Sequence, residues 1–295
     1  METPLLDIIV VVSRGAREHL EPCLESLERY PLRQGSMTVH VVDNASEDGT
    51  VELVRERFGW ARLHELGWNA GFCIANNVGL QRTSAPFALL LNPDTEATEG
   101  ALDHMIDVMR ENPRIGMSGC RLVKRDGTFD HAAKRSFPTP VGALAHFAGL
   151  SRDRGGAFAQ YLAPEVEERA SGEVDAVNGA FMLVRRSAVD EVGLLDQAYW
   201  LYMEDLDWCY RFNQHGWLVW YDGSVDFVHV KGGTTVKKRH RGLRHNWAFH
   251  RGMGRFYRKF HAGRRPLFDA LVYAAVLAKF SIAAVRSTIA RKSLI

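Results

Sequence analysis

Several absences narrow this chain before any motif is read. Its four cysteines, Cys23, Cys73, Cys120 and Cys209, stand far apart, with no C-x-x-C pair. Zinc sites and disulfide scaffolds need clustered or paired cysteines, so neither is expected, and a reducing cytosol fits. There is no G-x-x-x-x-G-K-[ST] phosphate loop, no G-x-G-x-x-G dinucleotide turn and no G-x-S-x-G elbow. The N-terminus has acidic Glu2 and Asp7 and no basic lead before its apolar run, so it is not read as a signal peptide. No internal repeat or low-complexity tract is visible. One further absence is regional: residues 231–265 hold 12 Lys and Arg and no Asp or Glu. With a net charge of only +2, the rest of the chain must be acidic.

What is present alternates. Apolar, β-branched runs at 7–13, 38–43, 61–66 and 86–91 read as strands, separated by segments of helical period. Leu20, Leu24 and Leu27 mark the first helix, Val51, Val54 and Phe58 the second, and residues 72–82 the third. This order argues an α/β fold with a mostly parallel sheet, and 295 residues suit one large domain or one and a half. A further helix over 102–110, strands at 116–123 and 181–185, a helix at 187–192 and two strands at 217–221 and 225–230 follow. Residues 125–170 carry Pro138, Pro140 and Gly155-Gly156 and read as an irregular excursion.

Polar residues gather where the strands end: Ser13, Asp43, the turn Gly67-Trp68-Asn69-Ala70-Gly71, and Asn92-Pro93-Asp94. Pro93 forbids continuation of its strand, so the chain turns as Asp94 appears. Ligands of open α/β sheets bind outside this edge. Asn-Pro-Asp is on the plainest reading a tight turn; on the functional one Asp94 faces a divalent metal on a diphosphate. The Asn69-Ala70-Gly71 turn opens a helix, whose first N–H groups suit an anion.

A second acidic group, Glu204-Asp205-Leu206-Asp207, stands where an aromatic loop enters a helix. Acids at a helix N-terminus stabilise it, so a capping role competes with a catalytic one. Asp207 and Arg211 are spaced to pair along the helix. Asp205 points elsewhere, toward a cleft behind Trp200 and Tyr202, where it can serve as a general base. His229 ends an apolar strand; such a histidine is often structural, yet it can complete an oxygen-rich metal site.

These motifs resemble family 2 inverting glycosyltransferases of the GT-A fold, especially rhamnosyltransferase-like members. The matching residues are Val41-Val42-Asp43-Asn44-Ala45-Ser46-Glu47-Asp48-Gly49-Thr50, Asn69-Ala70-Gly71-Phe72, Leu91-Asn92-Pro93-Asp94, Asn178-Gly179-Ala180-Phe181-Met182, Glu204-Asp205-Leu206-Asp207 and His229 with Gly232-Gly233. They occur in the family's order over about residues 7–235. The resemblance implies a Rossmann-like catalytic domain over 1–235, with a nucleotide-sugar half (about 1–120) and an acceptor half (about 121–235). A basic, helical extension over 236–295 would follow. It implies that Ser13, Asp43, Asn69, Gly71, Asn92, Asp94, Asn178 and Gly179 bind the donor nucleotide and sugar. Asp94 and His229 would hold Mg²⁺ or Mn²⁺, and Asp205 would be the catalytic base. Many relatives read Ser-Tyr-Asn after the first strand, where this chain has Ser13-Arg14-Gly15, which touches nucleotide preference.

The expected activity is transfer of a sugar, L-rhamnose from dTDP-rhamnose as first choice, to a hydroxyl of a glycan or polyprenyl-diphosphate-linked acceptor, with inversion. Alternatives are a UDP-sugar donor (galactofuranosyl or N-acetylhexosaminyl), a sugar nucleotidyltransferase, or a non-catalytic membrane- or nucleic-acid-binding protein. The nucleotidyltransferase has only Arg14-Gly15-Ala16-Arg17 as a faint loop signal, and the binding protein leaves the ordered motifs unexplained. The basic tail, interleaved with Trp247, Phe249, Phe256, Tyr257 and Phe260, fits an anionic lipid surface better than nucleic acid. Its apolar run over 270–285 falls short of the ~20 residues that span a bilayer. It is expected to lie at the inner face of the plasma membrane as a peripheral anchor, or to pack on the body or on a second subunit of a homodimer.

Overall fold

The computed structural model describes residues 3–139, 161–230, 242–263 and 265–292. Strands β1 (Leu6–Val12), β2 (Met37–Asp43), β3 (Arg62–Glu65) and β4 (Phe87–Leu91) alternate with helices α1 (Arg17–Arg29), α2 (Thr50–Arg57) and α3 (Phe72–Gln81). β1 and β4 are apolar throughout because helices cover both faces of a parallel sheet. Leu89 and Leu90 are fully buried, each worth roughly 1.5–3 kcal/mol relative to exposure.

The remaining strands are β5 (Thr95–Glu96), β6 (Ile115–Val123), β7 (Lys134–Arg135), β8 (Ser171–Glu173), β9 (Ala176–Val177), β10 (Phe181–Arg185) and β11 (Leu218–His229). Helices α4 (Ala101–Glu111), α5 (Arg186–Val192), α6 (Glu204–Gln214), α7 (Leu243–Phe260) and α8 (Pro266–Lys292) complete the described elements. The main sheet runs β3-β2-β1-β4-β10-β6-β11-β5, with β8 on β11, and β7 pairs separately with β9. β1 to β4 are parallel neighbours, and β10 enters antiparallel between β4 and β6.

Two expectations change. The strands read at 217–221 and 225–230 are one strand, β11, which stays paired with β6 across a register shift between Asp222 and Asp226. The polar Asp222-Gly223-Ser224 stretch looks like a hairpin turn in sequence but is a bulge. The apolar C-terminal run is also longer than its sequence core: α8 begins at Pro266, and residues Pro266–Thr288 are long and apolar enough to cross a membrane by length and composition. Proline is tolerated at a helix start, and Asp269 accepts a hydrogen bond from the Tyr257 hydroxyl rather than ending the helix.

α7 and α8 form an antiparallel pair. Asn246 donates to Ser287 at 2.8 Å at one end, and Tyr257 meets Asp269 and Tyr273 at the other. α7 packs on the loop before α6, and α8 turns Leu267, Leu271, Leu277, Ile282 and Val285 outward.

Candidate active site

Strand register brings the expected donor residues to one edge. Asp43 is level with Val12, Leu91 with Val10, and Phe181 with Leu91. Asn92 N–H donates to Ala180 at 3.0 Å, which sets the Asn92–Asp94 turn beside Asn178 and Gly179. The Asn69–Gly71 turn is tied to the end of β2 through Asn44, which accepts from Ala70 N–H at 2.7 Å. Asn69 Oδ1 accepts from Gly71 N–H at 3.1 Å and so closes its own turn. Asp43 is buried, and its Oδ1 accepts from Ser46 N–H at 3.2 Å. The loop containing Ser13-Arg14-Gly15 is held by Asp48, which accepts from Gly15 N–H at 2.6 Å.

Gly71 has φ +84°, and a Cβ there would collide with Trp200. Glycine supplies the conformation, and the missing side chain admits the indole. Phe72 N–H then donates to Trp200 O at 2.8 Å, joining the donor turn to the aromatic loop that leads to Asp205. At the end of this loop Tyr202 and Met203 both have positive φ, 71° and 72°. Left-handed backbone is costly for such side chains and marks a segment the surrounding fold over-determines.

Asp94 and His229 meet because β5 pairs with β11: Thr95 faces His229, and Val230 N–H donates to Asp94 O at 2.8 Å. His229 Nε2 lies 3.6 Å from Asp94 Oδ1, and its Nδ1 lies 3.2 Å from Asp130 Oδ2. Burial opposes a charge on the ring, but the Asp130 and Asp94 carboxylates outweigh it and push His229 up to about 9. The pair fits a divalent cation chemically. A carboxylate on the far nitrogen is the usual support of a metal-binding imidazole, and a cation here would displace the ring proton. Among the described residues no group of three or more His, Cys, Asp or Glu is arranged to hold a metal. Asp94 and His229 alone would leave a cation to take its remaining oxygens from another molecule. Asp130 was not legible in the sequence, since it lies 99 residues before His229 in the irregular excursion.

Asp205 stands on the first turn of α6. Its Oδ2 accepts from Arg135 Nη2 at 2.5 Å and lies 3.4 Å from Gly179 N. Its Oδ1 accepts from Leu206 N–H at 2.8 Å. Asp207, fully buried, pairs with Arg211 at 2.9 Å as its spacing predicts, and also with Lys259 of α7 at 2.7 Å. Burial and neighbouring Asp205 push the Glu204 carboxyl up, so it tends to keep its proton. The three acids have separated: Asp205 beside Gly179, Asp207 in the core, Glu204 buried between them.

The sequence model of glycosyl transferase family 2 matches residues 8–193. The chain belongs to glycosyl transferase family 2. A relative in Mycobacterium tuberculosis, N-acetylglucosaminyl-diphospho-decaprenol L-rhamnosyltransferase, is 29% identical over 273 residues, covering 88% of this chain and 87% of the relative. A low-salt glycan biosynthesis hexosyltransferase of Haloferax volcanii is 24% identical over 235 residues, 77% of this chain and 68% of that protein. Among solved structures, a mannosyltransferase from Pyrobaculum calidifontis, in complex with GDP-Man and Mn²⁺, matches with a TM-score of 0.60 at 16% identity. That match covers 99% of this chain and 75% of the mannosyltransferase. The fold is therefore of the GT-A type, and the expected fold class and family both hold.

Proposed function

We propose that this glycosyltransferase moves a hexose, L-rhamnose from dTDP-rhamnose, onto a hydroxyl of a glycan carried on a polyprenyl diphosphate, with inversion at the anomeric carbon. The observation that carries the reaction type is the placement of Asp205 against Gly179, one strand away from the turn that holds Asp94. Proton acceptance and diphosphate binding thus have separate carboxylates on adjoining segments. The name of the mycobacterial relative supports the choice of donor and acceptor.

Asp205 takes the proton of the acceptor hydroxyl as that oxygen bonds to the anomeric carbon. The bond from that carbon to the diphosphate breaks, and its electron pair leaves on the diphosphate oxygen. One displacement inverts the centre, and no nucleophilic side chain is required. Ser13, Asp43, Asn69, Gly71 and Asn92 line the nucleotide side, and Asn178 and Gly179 lie under the sugar. Asp94 and His229 would hold Mg²⁺ or Mn²⁺, which when bound neutralises charge developing on the leaving diphosphate.

The decisive experiment is a donor panel of dTDP-rhamnose, UDP-galactofuranose and UDP-N-acetylglucosamine, with Mg²⁺ or Mn²⁺ and a synthetic polyprenyl-diphosphate N-acetylglucosamine acceptor. Release of dTDP with formation of an α/β-inverted product supports the reading. Turnover of the UDP-sugars alone would replace the donor assignment.

The tail is the membrane contact in this reading, and two of its cations also serve the body. In α7, Arg251 donates to Ala198 O at 2.7 Å, Arg255 pairs with Asp196 at 2.9 Å, and Lys259 pairs with Asp196 and Asp207. Arg255 and Lys259 thus answer acids of the body. Residues 231–241 of the basic run lie outside the described residues. The outward apolar stripe of α8 is what suits a bilayer surface. Leu271→Glu with Leu277→Glu, or removal of residues 266–295, should release the protein from anionic vesicles in a sedimentation assay; unchanged binding by both would remove this part of the proposal.

A further inference from the structure

We propose that Arg135 is a positioning residue for the Asp205 carboxylate, a role that rests on reading Asp205 as the general base. Arg135 lies on β7, and nothing in its immediate sequence marks it out. The pairing of β7 with β9, with Arg135 level with Ala176, sets it next to the Asn178–Gly179 turn. Its Nη2 donates both to Val177 O at 2.6 Å and to Asp205 Oδ2 at 2.5 Å. The Arg135 and Asp205 side chains are only 10% and 14% exposed.

The geometry has two consequences. First, Asp205 Oδ2 lies between donors from two elements, Arg135 of β7 and Gly179 N–H, while Oδ1 receives Leu206 N–H from its own helix. A carboxylate gripped from both sides keeps one rotamer, and its remaining lone pairs keep one direction. A base must be held in that way to meet a hydroxyl at hydrogen-bond distance.

Second, the charges around Asp205 are unequal. Glu204 and Asp207 sit beside it on α6, and Arg135 is the cation in direct contact with it. Burial alone disfavours a charge on Arg135, and Asp205 holds it on. Glu204, buried and beside Asp205, is pushed toward its protonated form. The pair Arg135–Asp205 thus carries balanced charge, and the neighbouring acid gives up its own. Arg135 is the cation that answers the Asp205 carboxylate beside the acids of α6.

The test compares Arg135→Lys, Arg135→Met, Asp205→Asn and the double variant Arg135→Met/Asp205→Asn in the full chain. Two readouts are taken: kcat and KM with dTDP-rhamnose and the synthetic acceptor, and binding of dTDP with Mg²⁺ by calorimetry. Arg135→Met should lower kcat about 10²-fold, as a misplaced catalytic group does, with dTDP affinity unchanged. Arg135→Lys, which keeps the charge without the planar fork, should recover part of kcat. The double variant should be no slower than Asp205→Asn alone.

Wild-type kcat in Arg135→Met, or additive losses in the double variant, would each overturn the proposal. Loss of dTDP binding in both Arg135→Met and Arg135→Lys would do so too, by making Arg135 a structural support of the whole cleft. If Asp205→Asn itself turns over at the wild-type rate, the base assignment fails first, independently of Arg135.

Discussion

At the donor edge the polar side chains are held by near neighbours in sequence or by adjoining strand ends. Asp43 accepts from Ser46 three residues on, Asn69 from Gly71 two residues on, and Asn44 from Ala70 across the next turn. Asp205 is held differently. Arg135 lies 70 residues before it, and Lys259, which grips neighbouring Asp207, lies 52 residues after that acid. The first region is a set of turns that close largely on local contacts, with Asn92, Phe72 and Asp94 then tied to Ala180, Trp200 and His229. The second is an ion-pair assembly that exists only when three distant parts of the chain have docked. Substitutions should therefore act on binding alone at the donor edge, and on catalysis and stability together around Asp205.

The largest effect expected is on the chemistry itself. Asp205→Asn should lower transfer by about 10²–10⁴-fold, the usual range for a general base, while dTDP binding with Mg²⁺ is retained in calorimetry. Loss of nucleotide binding in this variant would merge the two regions into one and defeat the comparison.

At the donor edge, Asp94→Ala should remove the Mg²⁺ or Mn²⁺ dependence of dTDP binding. Asp130→Asn should weaken it by about 10–100-fold, as loss of an outer-shell partner to an imidazole does. Binding titrations at fixed dTDP and varied metal measure both. Equal metal dependence in wild type and Asp94→Ala would break the assignment of that turn.

The same contrast explains how much was legible beforehand. The parallel β1–β4 core and the strand-end acids could be read because a buried strand is a continuous apolar run and a proline must end it. Asp43, Asn69 and Asp94 announce themselves by position alone. Arg135 and Asp130 do not, because an arginine or aspartate in an irregular stretch looks like any solvated charge. Only β7–β9 pairing and the β11 register give them partners. The bulge in β11 was misread for a related reason: Asp222-Gly223-Ser224 has turn chemistry, and only the continued pairing with β6 overrides it. Within the basic run, the pairing of Arg255 and Lys259 with Asp196 and Asp207 was hidden too, since it spans a distance no spacing rule sees.

A smaller effect probes the clamp of α7 on the catalytic loop. Lys259→Met leaves fully buried Asp207 with Arg211 as its remaining cation among the described pairs. Weakening the support of a buried carboxylate costs roughly 1–3 kcal/mol. Urea unfolding should show that loss, and kcat should fall while dTDP affinity stays fixed. A destabilised variant with full kcat would make the clamp purely structural.

The smallest effect belongs to a buried acid far from both regions, and it sets the background against which the others are judged. Asp7 accepts from Ser84 and Ala85 N–H at 2.8 Å each and lies 3.4 Å from His40. Burial works against its charge, but the His40 contact and the two N–H groups prevail and hold its pKa below the ordinary 3.8. A carboxylate lowered by folding stabilises the protein above its unfolded pKa and loses that contribution as pH falls through the folded value. Asp7→Asn should therefore cost about 1 kcal/mol at neutral pH, and the gap from wild type should close as the pH drops below about 4. Unfolding midpoints measured from pH 7 to pH 3 give the curve, and kcat at pH 7 should not change. A gap that widens on acidification would reverse the sign of the Asp7 contribution. A fall in kcat would mean that stability and catalysis are coupled across the whole sheet, not only around Asp205.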